Sequence, residues 1–129
     1  MRDEQVRRYA RHILLPDVGG LGQTALLESA ARVDLRDGDA AALIAACYLA
    51  AGGVGTVVLR GATDAQLASL GVFGPDATLT RDDLDRAHDV RLPPRPLWWP
   101  SVAGDDTALA FWRGGIAATA WMANVANHQ

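Results

Sequence analysis

Residues 32–60 read RVDLRDGDAAALIAACYLAAGGVGTVVLR, and the pattern is that of a strand, a helix and a second strand. Apolar and polar residues alternate over 32–36, which is typical of a strand covered on one face. Residues 39–51 are apolar almost all round, which predicts a tightly buried helix with Asp39 as its N-cap. Residues 54–60 then predict a buried strand. This βαβ order predicts an α/β fold with a short parallel sheet flanked by helices.

The sequence before this unit predicts helices and a turn. Residues 3–11 place acidic residues first and arginines last, which matches the dipole of a short helix. The glycines of residues 17–22 predict a turn, and a second helix is expected over residues 23–30.

The sequence after the unit is less regular. Residues 63–71 and 80–90 predict two short helices, and Thr80 is in position to cap the second. Residues 93–100 read PPRPLWWP, which excludes a helix or a central strand and predicts an extended segment. A last helix is expected over residues 105–126, interrupted by two adjacent glycines.

The length of 129 residues is that of one domain, and half of the residues are hydrophobic, which is enough for a core. We therefore expect a single shortened domain, 1–129. Its expected parts are an N-terminal helical segment (1–31), a βαβ core (32–61), an irregular segment with prolines and tryptophans (62–104) and a C-terminal helix (105–129).

Composition excludes several kinds of function. The net charge of −3 argues against nucleic acid as a partner. All 12 basic residues are arginines, so chemistry that needs a lysine is excluded. Neither an apolar signal core nor an uninterrupted apolar run of about 18 residues is present, so we expect no membrane partner and a cytoplasmic location.

Metal and thiol chemistry are not expected either. Cys47 is the only cysteine, which excludes a disulfide within the chain and a zinc site with several cysteines. Within the predicted buried helix, Cys47 is expected to be a packing residue. His12, His88 and His128 are far apart in the sequence, so no metal site is expected.

Several motifs occur in an order that points to one family. They are RYARHILLP at 8–16, GQ at 22–23, ARV at 31–33, YLAAGGVG at 48–55 and GGIAATA at 114–120. Together they resemble the ThiF/MoeB family of the ubiquitin-activating-enzyme superfamily. The resemblance implies a reduced, Rossmann-like ThiF/MoeB domain. Members of this family bind ATP and adenylate the C-terminal glycine of a ubiquitin-like protein.

The resemblance also indicates that the nucleotide loop is lost. Between the ARV and GVG motifs the spacing matches the family without a gap, so the GxGGxG phosphate loop falls on Asp37, Gly38, Asp39, Ala40, Ala41 and Ala42. None of the four loop glycines is kept, although the backbone needs them to approach a phosphate closely. Two aspartates there would repel phosphate oxygens. We therefore expect no cofactor.

Other functional positions of the family are also changed. The ribose-binding aspartate falls on Gly61, and the segment that should carry a catalytic arginine has no counterpart at residues 62–66. The CxxC zinc pairs are absent, and Cys47 lies in the predicted helix rather than in the loop that holds the family's catalytic cysteine. The chain is also about half as long as the family resemblance implies. We therefore expect no catalytic residue at these positions.

Arg11 is the exception, because it matches an arginine that crosses the family's dimer interface towards the partner's ATP. The alternative is a surface or capping arginine without such a role. The tryptophan pair is either a plug over a sheet face or an anchor for a partner. The residues expected to bind a partner are Tyr9, Arg11, Ile13, Leu14, Leu15, Trp98 and Trp99.

These observations lead to one main hypothesis and two alternatives. The main hypothesis is a non-catalytic pseudo-enzyme that forms a homodimer, or a heterodimer with a full-length ThiF/MoeB-like enzyme, or binds a ubiquitin-like carrier protein. One alternative is a minimal ATP-dependent adenylyltransferase with a remodelled loop. The other is a self-assembling structural protein that has kept the fold without the chemistry.

Overall fold

A computed structural model describes residues 19–99 and 106–127. In chain order the elements are α1 (Gly19–Leu27), β1 (Ala30–Asp34), α2 (Ala40–Ala51), β2 (Thr56–Arg60), α3 (Asp64–Phe73), β3 (Thr78–Thr80), β4 (His88–Asp89) and α4 (Asp106–Asn127). The predicted helix at 3–11 lies outside the described residues, as do Tyr9, Arg11 and the apolar residues 13–15. None of the described helices is both long enough and apolar enough to cross a membrane.

The four strands form one parallel sheet in the order β3-β2-β1-β4. Strand β1 pairs with β2 from Ala30 opposite Thr56 to Asp34 opposite Arg60, which confirms the predicted βαβ unit and the α/β fold. This strand order is that of the first four strands of a Rossmann sheet, in which the chain crosses from one side of β1 to the other.

Helix α2 begins and ends where the sequence predicts. The Asp39 side chain accepts a hydrogen bond from the Ala41 N–H, and the Gly52 N–H donates to the Tyr48 carbonyl at the other end. Its buried residues are alanines and Leu49, so the helix can lie close to its neighbours. Helix α3 also matches its prediction, with Thr63 at its start in a capping box.

The main core lies between the helices and one face of the sheet. On β1 and β2, Val33 and Leu59 belong to this core, together with Leu49 of α2 and Leu70 of α3. The opposite face is covered in part by the segment 81–87, whose Ala87 packs against Ala30 and Val58. The members of the core are Leu26, Ala31, Val33, Leu35, Ala42, Ala45, Ala46, Leu49, Val54, Val57, Leu59, Ala62, Leu70 and Ala118.

The prediction of a helix over residues 80–90 is wrong. Residues 62–99 contain α3, β3 and β4, so this part of the chain supplies two of the four strands of the sheet. Thr80 does accept a hydrogen bond from the Asp82 N–H, but it caps a turn rather than a helix. The reason is tertiary: Arg32 of β1 donates to both Asp83 and Asp89, at 2.7 and 2.9 Å, and this holds the segment along the sheet.

Two predictions about glycines are also corrected. Part of the predicted turn at residues 17–22 belongs to α1, which begins at Gly19 and ends at Leu27 because Ala30 enters β1. Helix α4 is continuous, and Gly114 and Gly115 do not interrupt it. Gly114 instead allows α4 to approach α2 closely, since a β-carbon there would lie 2.6 Å from the Ala41 carbonyl oxygen.

The two adjacent glycines should respond oppositely to alanine. Gly114→Ala should lower the free energy of unfolding by about 1–3 kcal/mol, because the clash with the α2 backbone outweighs the gain in helix propensity. Gly115→Ala should raise it by about 0.5–1 kcal/mol, because its β-carbon would meet Tyr48 at an ordinary 3.7 Å. Urea unfolding of both variants measures this, and equal effects would contradict the close contact.

Candidate functional site

The candidate site is the edge formed by the carboxyl ends of β1 and β4, which we call the crevice after its place in Rossmann-like sheets. In such sheets ligands bind outside the carboxyl ends of the strands, where the strand order reverses, and in the order β3-β2-β1-β4 this point lies between β1 and β4. The residues that follow β1, 35–39, lead into α2, and residues 90–93 follow β4. The crevice therefore contains the positions matched to the phosphate loop.

An ion pair occupies the helix end of this crevice. Both carboxylate oxygens of Asp39 accept hydrogen bonds from the Arg113 guanidinium, at 3.1 Å and 3.0 Å. One of these oxygens also accepts from the Ala41 N–H at 2.9 Å. Asp39 is thus the N-cap of α2 and the partner of an arginine on α4. Bidentate pairs of this kind are stronger than ordinary hydrogen bonds.

Arg113 also joins the two sides of the crevice. Its Nε donates to the Pro93 carbonyl at 2.7 Å, beyond the end of β4, while the rest of the guanidinium reaches Asp39. Both side chains of the pair are mostly buried. Arg113 is not among the residues predicted from the sequence, although a signal existed. It is the only charged residue between Thr107 and Asn127, and a lone arginine in an apolar helix needs a buried partner.

The loop before α2 satisfies its own backbone donors. Asp37 is exposed, and its side chain accepts from the Asp39 N–H at 3.1 Å. Gly38 has a φ of 74°, which a glycine adopts without strain. Of the following alanines, Ala41 and Ala42 are buried while Ala40 is exposed. The N–H groups of Asp39 and Ala41 therefore already bind carboxylates, which is where a phosphate would need them.

The electrostatics of Asp39 combine two opposing effects. Partial burial by itself raises the pKa of Asp39. The hydrogen bonds from Arg113 and Ala41, together with the charge of Arg113, lower the pKa by more than burial raises it, so it lies below its usual value. The carboxylate is therefore ionised at neutral pH. Its contribution to stability is complete above the ordinary aspartate pKa of about 4 and is lost as pH falls through the lowered value.

Gly61, matched to the ribose-binding aspartate, lies beside a second ion pair. It has a φ of 78°, and a β-carbon there would lie 2.4 Å from Cγ of Arg36. Arg36 in turn donates two hydrogen bonds to Asp34, at 2.9 and 2.7 Å, and these hold the pKa of Asp34 well below its usual range. The positions matched to the family's phosphate and ribose contacts thus each lie next to an arginine–aspartate pair, the first mostly buried and the second exposed.

The tryptophan pair packs on α4 near this crevice. The rings of Trp98 and Trp99 lie 5.9 and 6.1 Å from the ring of Trp112, and Trp98 meets it edge-on. Trp98 is 70% exposed, whereas Trp99 is partly buried and its carbonyl accepts a hydrogen bond from Arg95. The structure therefore brings Trp98, Trp99 and Trp112 together in one aromatic cluster. The ring of Trp98 is the one that is largely exposed to solvent.

Cys47 lies away from the crevice, and His88 is in β4, while His12 and His128 lie outside the described residues. Cys47 faces α3 and lines an apolar cavity of about 220 Å³ with Leu43, Leu70 and Phe73. Burial raises the pKa of this thiol, so it is protonated at neutral pH. Over residues 19–99 and 106–127, no three acidic, histidine or cysteine side chains are grouped so that they could hold a metal ion.

The strand order and the crevice define a small Rossmann-like α/β domain. No protein-family model matches the chain. Over 86 residues, or 67% of its length, the chain is 38% identical to the sulfur carrier protein ThiS adenylyltransferase of Escherichia coli (strain K12). The alignment covers 32% of that protein, so the chain spans about a third of the length of the curated relative that it matches.

Removing the arginine tests the ion pair. At pH 7, Arg113→Met should lower the free energy of unfolding by about 2 kcal/mol, because Asp39 and the Pro93 carbonyl lose charge-assisted hydrogen bonds. The loss should shrink as pH falls from about 4 through the lowered pKa of Asp39, because the carboxylate then becomes protonated in the wild type as well. Urea unfolding at several pH values measures it.

The matched control is Arg91→Met, which changes an exposed arginine in the segment after β4. This variant should unfold like the wild type at every pH. If the Arg113→Met loss does not shrink even at the lowest pH at which the wild type stays folded, the side chain stabilises the fold by packing and not through the charge of Asp39.

Proposed function

We propose that this protein is a degenerate ThiF/MoeB-like pseudo-enzyme that does not use ATP and acts as a protein-binding or dimerisation subunit. The observation that carries this proposal is the Asp39–Arg113 ion pair at the N-terminus of α2. A phosphate would have to compete there with an internal carboxylate that is already hydrogen-bonded to the helix and to its arginine.

The similarity to a ThiS adenylyltransferase supports the ancestry in this proposal. The name of the E. coli relative gives a sulfur carrier protein as the substrate of that enzyme. We therefore propose a ubiquitin-like carrier protein, a full-length ThiF/MoeB-like enzyme or a second copy of this chain as the partner. In the first two cases the protein would act in the cytoplasm, where such enzymes find their substrates.

Two other functions make different demands on the same crevice. A minimal adenylyltransferase would need Arg113 to leave Asp39 and contact a phosphate, so it requires nucleotide binding and pyrophosphate exchange. A self-assembling structural protein requires neither, but it forms large homo-oligomers by itself. A pseudo-subunit stops at a dimer or waits for its partner, so a size measurement separates it from the structural protein.

Nucleotide titration tests the proposal directly. Calorimetry with Mg-ATP or NAD at millimolar concentration should give no binding, because the loop N–H groups and Arg113 are already occupied by carboxylates. The E. coli relative titrated with Mg-ATP in the same buffer is the positive control. Clear binding of Mg-ATP that is lost in Asp37→Ala or Asp39→Ala would falsify the proposal and favour the minimal adenylyltransferase.

Arg11 provides a second test. If it reaches a partner's ATP, it stabilises the negative charge that develops on the transferring phosphate. Arg11→Ala should then lower the partner's adenylation rate by about a hundredfold or more while the complex still forms. Arg7→Ala, a change in the same N-terminal segment, is the control. An unchanged adenylation rate would leave Arg11 without a role in catalysis.

A further inference from the structure

A cavity of about 480 Å³ lies beside the amino end of β1, whereas the crevice lies at the carboxyl end of that strand. Three parts of the chain bound the cavity: the turn between α1 and β1, the segment 86–89 that includes β4, and the last turns of α4. Its volume is within the range of about 300–1,000 Å³ that is typical of small-molecule sites. Among its lining residues are Glu28, Arg86, His88, Asp89, Trp121 and Val125.

Arg86 brings a positive charge to this cavity, and the described residues do not neutralise it. Its guanidinium donates to the Glu28 backbone carbonyl at 3.3 Å and to the Thr56 hydroxyl at 3.4 Å. Both acceptors are uncharged, and both distances exceed the usual range of about 2.7–3.2 Å. Within the described residues Arg86 forms no ion pair. Because a guanidinium has five N–H donors, Arg86 can bind an anionic group in the cavity.

Two carboxylates bring negative charge to the same cavity. Glu28 is exposed and forms no ion pair with any described residue. Asp89 accepts from Arg32 at 2.9 Å through Oδ1, but Arg32 also pairs with Asp83 at 2.7 Å. One guanidinium therefore serves two aspartates, and that group as a whole remains negative. The cavity can thus also hold a cationic group beside Glu28 and Asp89.

Trp121 and Val125 of α4 add an apolar part to the lining. Both side chains are partly buried and pack against the main core. The indole N–H of Trp121 donates to the His88 carbonyl at 3.2 Å, so a hydrogen bond as well as packing holds the ring in place. An aromatic surface that is already fixed costs little conformational entropy when a ligand binds to it.

The charges decide which class of ligand fits this lining. A simple anion would be attracted by Arg86 and repelled by Glu28 and Asp89. A simple cation would be attracted by these carboxylates and repelled by Arg86. A zwitterion places a charge of the right sign beside each of them. A zwitterion that also has an apolar part, as the tryptophan requires, is a free α-amino acid with an aromatic or large aliphatic side chain.

We propose that the cavity binds such an amino acid. Its carboxylate accepts hydrogen bonds from Arg86, and its ammonium group donates to Glu28 and Asp89. Its side chain lies against Trp121 and Val125. The site is separate from the crevice, so this proposal goes beyond the proposed function and does not depend on whether the protein binds a nucleotide or a partner.

Three probes with the same phenyl ring test the proposal on the full wild-type chain. L-phenylalanine carries both charges, phenylpropionate only the carboxylate and phenylethylamine only the ammonium group. In titrations followed by proton–nitrogen NMR, L-phenylalanine should bind with a dissociation constant on the order of 1 mM. Each probe with a single charge should bind about fivefold or more weakly than L-phenylalanine. The shifted signals should include the backbone amides of Glu28 and Asp89 and the indole N–H of Trp121.

Two variants assign the charges. Arg86→Gln should weaken L-phenylalanine by about fivefold or more without weakening phenylethylamine, which has no carboxylate. Glu28→Gln should weaken L-phenylalanine without weakening phenylpropionate, which has no ammonium group. The matched control is Arg91→Gln, because Arg91 is exposed and lies outside the cavity, and this variant should bind all three probes like the wild type. Circular dichroism checks that each variant is folded, and the comparison of the probes on the wild type needs no variant.

Several outcomes would overturn the proposal. L-phenylalanine could leave the signals of the cavity unchanged, or the three probes could bind equally, which would mean that the ring alone is recognised. Tighter binding of phenylpropionate than of L-phenylalanine would make the cavity an anion site. Shifts confined to the other aromatic cluster, around Trp98 and Trp112, would place the ligand outside the cavity.

Discussion

The close approach of α4 to α2 is the constraint on which the rest of the structure depends. At Gly114 the two backbones are so near that no β-carbon fits between them. This contact places Arg113 at the N-terminus of α2, where it meets Asp39, and it turns Trp112 outward towards Trp98. The closed crevice and the aromatic cluster are therefore two results of one helix packing against another.

The same constraint determines how the N–H groups at the start of α2 are paired. A phosphate loop leaves several N–H groups of a helix N-terminus unpaired, and the ligand satisfies them. Here Asp37 and Asp39 accept from those groups, and Arg113 balances the charge. The carboxylate of Asp39 thus lies where the phosphate of a nucleotide would lie, and Arg113 lies where an arginine would bind that phosphate. Such an arrangement stabilises the empty fold.

The sequence was informative where local rules agree with the tertiary structure. The βαβ unit, the cap at Asp39 and the helix that begins after Thr63 were predictable, because propensity, capping and hydrophobic pattern all indicate the same elements. The nucleotide-loop positions were placed by motif spacing. The cap at Asp39 was expected, but its second role as the partner of Arg113 was not.

The sequence was less informative where distant residues decide the structure. Residues 80–90 have a helical pattern, but Arg32 holds them along the sheet through Asp83 and Asp89. Two adjacent glycines predict an interruption of a helix. Nothing in the local sequence indicates that α2 lies against α4, which is why a glycine is needed at position 114. Arg113 was overlooked for the same reason: its partners lie 74 and 20 residues away. Long-range pairing of this kind is not encoded in periodicity.

The aromatic cluster beside the crevice has a spectroscopic consequence. Three of the four tryptophans, Trp98, Trp99 and Trp112, lie within 5.8 to 6.1 Å of one another at fixed tilts. Rings held this way give the near-ultraviolet circular dichroism that disappears when tertiary packing loosens. Their signal therefore reports whether the segment after β4 is seated on α4. The chain carries its own optical probe of that docking, and no label has to be added.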